Sequence, residues 1–203
     1  LRTIFELRQR YGFTKFIIVV PSVAIREGVL KNIELTKDHF ADIYGNVPLD
    51  AWVYDSKQVS RLRQFATSNQ LQVLIINIDA FNKPDNNVIH RENDRLSGRK
   101  PIEFIQATNP IVIVDEPQNM ESEQAKAAIA SLAPLCTLRY SATHRNVYNL
   151  LYRLDPVRAY DLKLVKRIEV DSVLDEEDFN KPFIHVKSIA ATKTKVTAKL
   201  EID

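Results

Sequence analysis

The chain has 203 residues, 45% of them hydrophobic, enough to close a core and to build one domain with room for an appendage. A net charge of +2 permits a nucleic-acid partner without demanding one. The single cysteine, Cys136, excludes an internal disulfide framework, and no apolar run approaches the roughly 18 residues of a transmembrane helix.

The opening Leu-Arg-Thr-Ile-Phe-Glu-Leu is amphipathic, not a secretory signal, and reads as a chain met in mid-helix, as in a fragment. Ile4, Leu7 and Tyr11 share a face of that helix, and Gly12 is its stop signal. Residues 16–20, Phe-Ile-Ile-Val-Val, form a buried strand ended by Pro21. Ser22 then caps a helix running to about residue 40. Gly45 to Pro48 make a turn, 51–54 a short strand, and Ser56 to Ala66 a helix capped by Ser56 or Asp55. Residues 71–78 are a third apolar strand, followed by Asp79-Ala-Phe-Asn82. Residues 83–100 lose periodicity and read as a long mobile surface loop. Its cations Lys83, Arg91, Arg95, Arg99 and Lys100 are diluted by Asp85, Glu92 and Asp94.

A short helix over 101–107 leads into Ile-Val-Ile-Val-Asp (111–115). An Ala-rich helix follows over 121–132, then a strand over 135–140 in which Cys136 is expected to pack. Asn149 to Leu154 is a helical turn or two, broken by Asp155-Pro156. Beyond it, 168–173, 183–189 and 196–202 alternate apolar and polar residues, the pattern of half-exposed antiparallel strands. A boundary near residue 160 separates the two regimes.

Up to about residue 155, helices alternate with strands buried on both faces. That order implies a parallel sheet with helices on both sides, whose chemistry gathers at the carboxyl ends of the strands. Four such ends carry polar signatures: Pro21-Ser22, Asp79 to Asn82, Asp115-Glu116 and Ser141-Ala-Thr143. Taken alone, Asp115-Glu116 is equally well a polar turn, and Ser22 an ordinary helix cap. Taken together, an Asp at a buried strand end can hold hydrated Mg²⁺ beside nucleotide phosphates, and the next carboxylate can orient or deprotonate water. Ser141 and Thr143 offer hydroxyls on the neighbouring strand end, with His144 beside them. Ser22 at a helix N-terminus can bind a backbone phosphate, with Arg26 one turn on.

Here the residues carry a resemblance. Val-Asp-Glu-Pro-Gln (114–118) resembles motif II of superfamily 2 helicases, and Ser-Ala-Thr-His (141–144) their motif III. Residues 18–28 resemble motif Ia and 77–83 the Ib region. With Leu-Leu-Tyr-Arg-Leu-Asp-Pro-Val (150–157) and Leu-Val-Lys-Arg-Ile-Glu-Val-Asp (164–171), the ordered set resembles the restriction (Res) subunit of type III restriction-modification enzymes.

The resemblance implies the first of two RecA-like P-loop NTPase lobes over residues 1–160, then a connector and the start of a β-rich insertion over 161–203. It implies an ATP-dependent motor on double-stranded DNA in a prokaryotic cytoplasm, with no membrane contact and a methyltransferase (Mod) subunit as partner. In that family Asp115 would bind Mg²⁺, Glu116 would activate water and Gln118 would sit near ATP. Ser141, Thr143 and His144 would couple hydrolysis to movement. Pro21, Ser22, Arg26, Asp79, Phe81 and Asn82 would touch DNA. The sequence departs from the pattern in two respects: it contains no Gly-x-x-x-x-Gly-Lys-[Ser/Thr], and it lacks the second lobe with its arginine finger, so the chain alone is expected to hydrolyse ATP negligibly. A non-catalytic DNA- or partner-binding module is the alternative. A nuclease reading of Asp161-Leu-Lys163 lacks a strand acid beside it.

Overall fold

The computed structural model describes residues 1–141, 149–166, 184–192 and 195–202. They form two compact units, Leu1–Tyr152 and Arg153–Asp203.

In the first unit, α1 (Arg2–Tyr11) precedes β1 (Lys15–Val20), α2 (Val23–Ile43), β2 (Leu49–Val53), α3 (Arg61–Thr67) and β3 (Leu71–Asn77). Then come α4 (Pro101–Gln106), β4 (Ile111–Asp115), α5 (Glu123–Ser131) and β5 (Cys136–Tyr140). The five strands make one sheet, ordered β2-β3-β1-β4-β5, and every pairing is parallel. Alternate strand residues feed two cores. Ile17, Val19, Leu74, Ile76, Val112 and Val114 pack against α3, α4 and α5 through Leu62, Phe65, Phe104 and Ala128. Phe16, Ile18, Val73, Ile75, Ile111 and Ile113 pack against α1 and α2 through Ile4, Phe5 and Ile33. The result is the three-layer α/β arrangement implied by strands apolar on both faces.

The helix punctuation follows local chemistry. Gly12 closes α1 at φ 78°, a left-handed conformation that costs glycine little. Ser22 caps α2, its Oγ accepting the Ile25 N–H at 3.3 Å. Ser122 caps α5 in the same way at 3.2 Å, so that helix starts at Glu123.

Three expectations are corrected. Residues 55–60 are not helical. The Asp55 carboxylate accepts the Lys57 N–H at 2.8 Å and holds a turn, which delays α3 to Arg61. Segment 83–100 is not a loose loop. It contains 3₁₀ turns at Val88–His90 and Asp94–Leu96, whose Ile89 and Leu96 are fully buried. Cys136 is exposed, because it opens the edge strand β5.

The helical turn expected over 149–154 is absent. Instead α6 (Pro156–Asp161) starts at the proline, and Asp155 Oδ1 accepts the Arg158 N–H at 2.8 Å. Proline suits a first helical position, since its missing N–H would have no helical acceptor. Strands β6 (Ile184–Ala191) and β7 (Val196–Ile202) form an antiparallel hairpin. A bulge at Lys187 shifts the register so that Val186, opposite Leu200, and Ile189, opposite Ala198, share one face. The expected strand over 168–173 lies outside the described residues.

Candidate functional site

Asp115 ends β4 at the carboxyl edge of the sheet, between the central strand β1 and the edge strand β5. Pro117 opens a 3₁₀ turn, and the chain enters it through Glu116 in a left-handed conformation, φ 55° and ψ 52°. That conformation is strained for a non-glycine residue. It is fastened by the Glu116 N–H, which donates to the Tyr140 carbonyl on β5 at 3.2 Å.

The side chains continue the fastening. Ser141 Oγ donates to Gln118 Oε1 at 2.6 Å, and Gln118 Nε2 donates to Glu116 Oε2. Gln118 therefore bridges the end of β5 to the second acid of the β4 turn. Asp115 titrates above its ordinary range, first because burial disfavours the anion and second because Glu116 stands beside it. It also lines a cavity of about 450 Å³ with Leu1, Ile18, Ile25, Val29, Asn32 and Ile33. Leu1 is the N-cap of α1, so the positive end of a helix dipole and a carboxylate face one space.

Among the described residues no cluster of three or more His, Cys, Asp or Glu could hold a metal unaided. Thr143 and His144 lie outside the described residues. Arg139 of β5 pairs with Glu121, both largely shielded, and ties the segment before α5 to the edge strand. Sequence reasoning missed this pair, because an arginine on an edge strand gives no signal of an acid 18 residues away.

A second group lies toward the other edge of the sheet. Pro21 and Ser22 follow β1, and Arg26 pairs with Glu27 at 2.9 Å. Arg26 also lines a cavity of about 710 Å³ with Tyr54, Ser56, Gln58, Arg61 and Ala80. Asp79 is exposed, and its carboxylate accepts Asn82 Nδ2 at 3.1 Å. Phe81 is a correction. Only 1% of it is exposed and its ring sits in the core, so it offers no face to a base. Tyr54, expected only as a strand residue, is buried, and its hydroxyl has no hydrogen-bond partner among the described residues; burial first, and Asp55 second, push it up to about 12.

The family model for the type III restriction enzyme, res subunit, matches residues 1–146. The chain belongs to this family. Its fold is the RecA-like arrangement, with the two-stranded antiparallel sheet as a separate piece. It is 29% identical to the type III restriction-modification enzyme StyLTI Res subunit of Salmonella typhimurium, over 95% of this chain and 23% of that one. It is 27% identical to the EcoP15I Res subunit of Escherichia coli, over 83% and 19% respectively. It is 28% identical to the EcoPI Res subunit of Escherichia phage P1, over 82% and 19%. The chain thus spans about a fifth of the length of these curated relatives. No helix among the described residues is long and apolar enough to cross a membrane.

The shifted titration of Asp115 has a measurable cost. A carboxyl raised in the folded state stabilises the fold below the ordinary carboxylate range and loses that contribution as pH rises through the raised value. At neutral pH the ionised Asp115 is therefore unfavourable. Asp115→Asn is expected to raise the thermal midpoint of this chain at pH 7 by about 1–2 °C, a gain kept small by solvent screening. The gain should vanish as pH falls into the ordinary carboxylate range. Melts followed by circular dichroism at pH 7 and pH 4 check this; a lower midpoint at pH 7 would contradict it.

Proposed function

We propose that residues 1–160 form the first RecA-like lobe of an ATP-dependent motor on double-stranded DNA, within a type III restriction endonuclease. We assign residues 161–203 to a connector and the start of a β-rich insertion. A Mod methyltransferase subunit is the proposed protein partner. The observation that carries this reading is the path Ser141–Gln118–Glu116, which joins two neighbouring strand ends beside Asp115.

The donor set fits a nucleotide-bound Mg²⁺ better than a free-standing metal site. One partly desolvated carboxylate, Asp115, meets a cation's need for charge, and phosphates and water are the usual remaining ligands of Mg²⁺. When bound, the ion would draw charge from the phosphates being separated. Asp115 would hold it. The α1 N-terminus, across the same cavity, favours phosphate on that side. Glu116 would take the proton of the attacking water on a carboxylate oxygen. Gln118 keeps that carboxylate oriented, and the bond from Ser141 makes its orientation depend on β5. Movement of the segment after β5 would therefore be felt at Glu116, a physical route for coupling hydrolysis to motion. Thr143 and His144 are assigned to the same coupling by resemblance. Pro21, Ser22, Arg26, Asp79 and Asn82 are the proposed DNA contacts.

The test is phosphate release by the full-length parent with and without duplex DNA; ATP turnover that ignores DNA overturns the motor reading. The 203-residue chain alone is expected to release phosphate at background rate, since it contains no glycine-rich phosphate loop with its lysine. A malachite-green assay reads this directly, and steady turnover by the isolated chain would refute it.

A further inference from the structure

The proposed DNA contacts leave a neighbouring group of cations unused. Residues 94–100 fold back on α3 and α4. Arg95 Nη1 donates to the Lys57 carbonyl at 3.1 Å, and Arg63 Nη2 to Ser97 Oγ at 3.1 Å. The guanidinium groups of Arg63 and Arg99 lie over the Phe104 ring, 6.0 and 4.7 Å from its centroid. Arg99 has an acid, Glu103, at 3.0 Å. Lys57, Arg63, Arg95 and Lys100 are exposed and make no ion pair among the described residues.

Other cations of the unit are paired, although Lys37, Lys83 and Arg91 are also exposed without an ion pair among the described residues. Arg2 and Arg10 flank Glu6, Lys31 meets Glu34, and Lys126 meets Glu123. Gathering four cations without an ion pair among the described residues, only diluted by acids such as Asp94, costs folding free energy through self-repulsion, a cost that an anionic partner offsets. Two of the four are also held in place, Arg63 by Phe104 and Ser97, and Arg95 by a backbone carbonyl. Binding then loses less side-chain entropy than it would with mobile lysines. The group adjoins the Arg26 cavity through the chain at Lys57, whose neighbours Ser56 and Gln58 are both on its wall. That adjacency favours a polyanion running past Arg26 over an unrelated acidic protein.

We propose that Lys57, Arg63, Arg95 and Lys100 extend the DNA path beyond the motif residues, contacting backbone phosphates of the same duplex that passes Ser22 and Arg26. The inference rests on the proposed DNA face. It assigns new contacts to α3 and to the 94–100 turn, and these contacts carry no base specificity.

The test is fluorescence anisotropy of a labelled duplex titrated with the 203-residue chain between 50 and 200 mM salt. Each phosphate contact contributes roughly 0.9 to the slope of log affinity against log salt. Lys57→Gln with Lys100→Gln removes two charges whose side chains make no hydrogen bond among the described residues, so the slope should drop by about 1.8 and affinity several-fold. Lys57→Arg with Lys100→Arg should restore both. Adding Arg95→Gln should take off roughly one more unit of slope. Arg26→Gln reports separately on the motif face. If Arg26→Gln lowers the slope while the double lysine variant keeps it, the extended path is wrong and the DNA reading stands. If the unsubstituted chain binds DNA without salt dependence, or not at all, both fall.

Discussion

Glu116→Gln in the full-length parent is expected to lower DNA-stimulated ATP turnover by about 10²–10⁴-fold, the usual contribution of a positioned general base. The substitution changes little else. Gln is nearly isosteric, so the left-handed turn, the N–H bond to Tyr140 and the contact with Gln118 can persist. What disappears is a carboxylate oxygen able to accept a proton. Nucleotide binding, followed by a fluorescent ATP analogue, should therefore stay within a few-fold of the unsubstituted protein. Asp115→Asn should differ in kind, weakening Mg²⁺-dependent nucleotide binding as well as turnover, because Asp115 is the proposed cation ligand. Unchanged turnover in Glu116→Gln would remove the catalytic assignment. Equal loss of binding in both variants would show that the two acids share one role.

The two acids were legible in the sequence for a definite reason. Four β-branched apolar residues followed by Asp-Glu-Pro read as a buried strand stopped at its carboxyl end, the other polar strand ends gave the acids their standing, and the structure ends β4 at Asp115. The bond from Ser141 to Gln118 was not legible, because it spans 23 positions and depends on the β4–β5 register. Motif order placed the two ends near each other without showing which atoms meet. The same split runs through the fold. β1, β3 and β4 announce themselves by apolar runs, and Ser22 by its position before an apolar helix. Segment 83–100 misled because only two of its residues, Ile89 and Leu96, are fully buried, and single anchors make no periodicity. Residues 55–60 misled because Asp55 captures a backbone N–H and outcompetes the helix that the composition favours.

Phe81 shows where motif resemblance and packing part, and the difference can be measured. Phe81→Ala is expected to destabilise the chain by about 3–5 kcal/mol, a fall in thermal midpoint of roughly 10 °C. The 3₁₀ turn Ile78–Ala80, capped by Asn77 Oδ1 on the Asp79 N–H at 3.0 Å, reverses the chain directly after β3. That reversal leaves Asp79 outside and directs Phe81 inward, into the core shared with Ile78, Ile89 and Leu96. His90 hydrogen-bonds through its ring Nε2 to the Phe81 carbonyl at 2.7 Å, so the aromatic residue also anchors segment 83–100. Removing the ring opens a cavity beneath that segment. Phe81→Leu keeps most of the volume and should cost less than about 1.5 kcal/mol. Below their melting transitions both variants should bind duplex DNA as the unsubstituted chain does, because Asp79 and Asn82 retain their own hydrogen bonds. A Phe81→Ala protein with an unchanged midpoint and weakened DNA binding would return the ring to the DNA face and sink the core assignment.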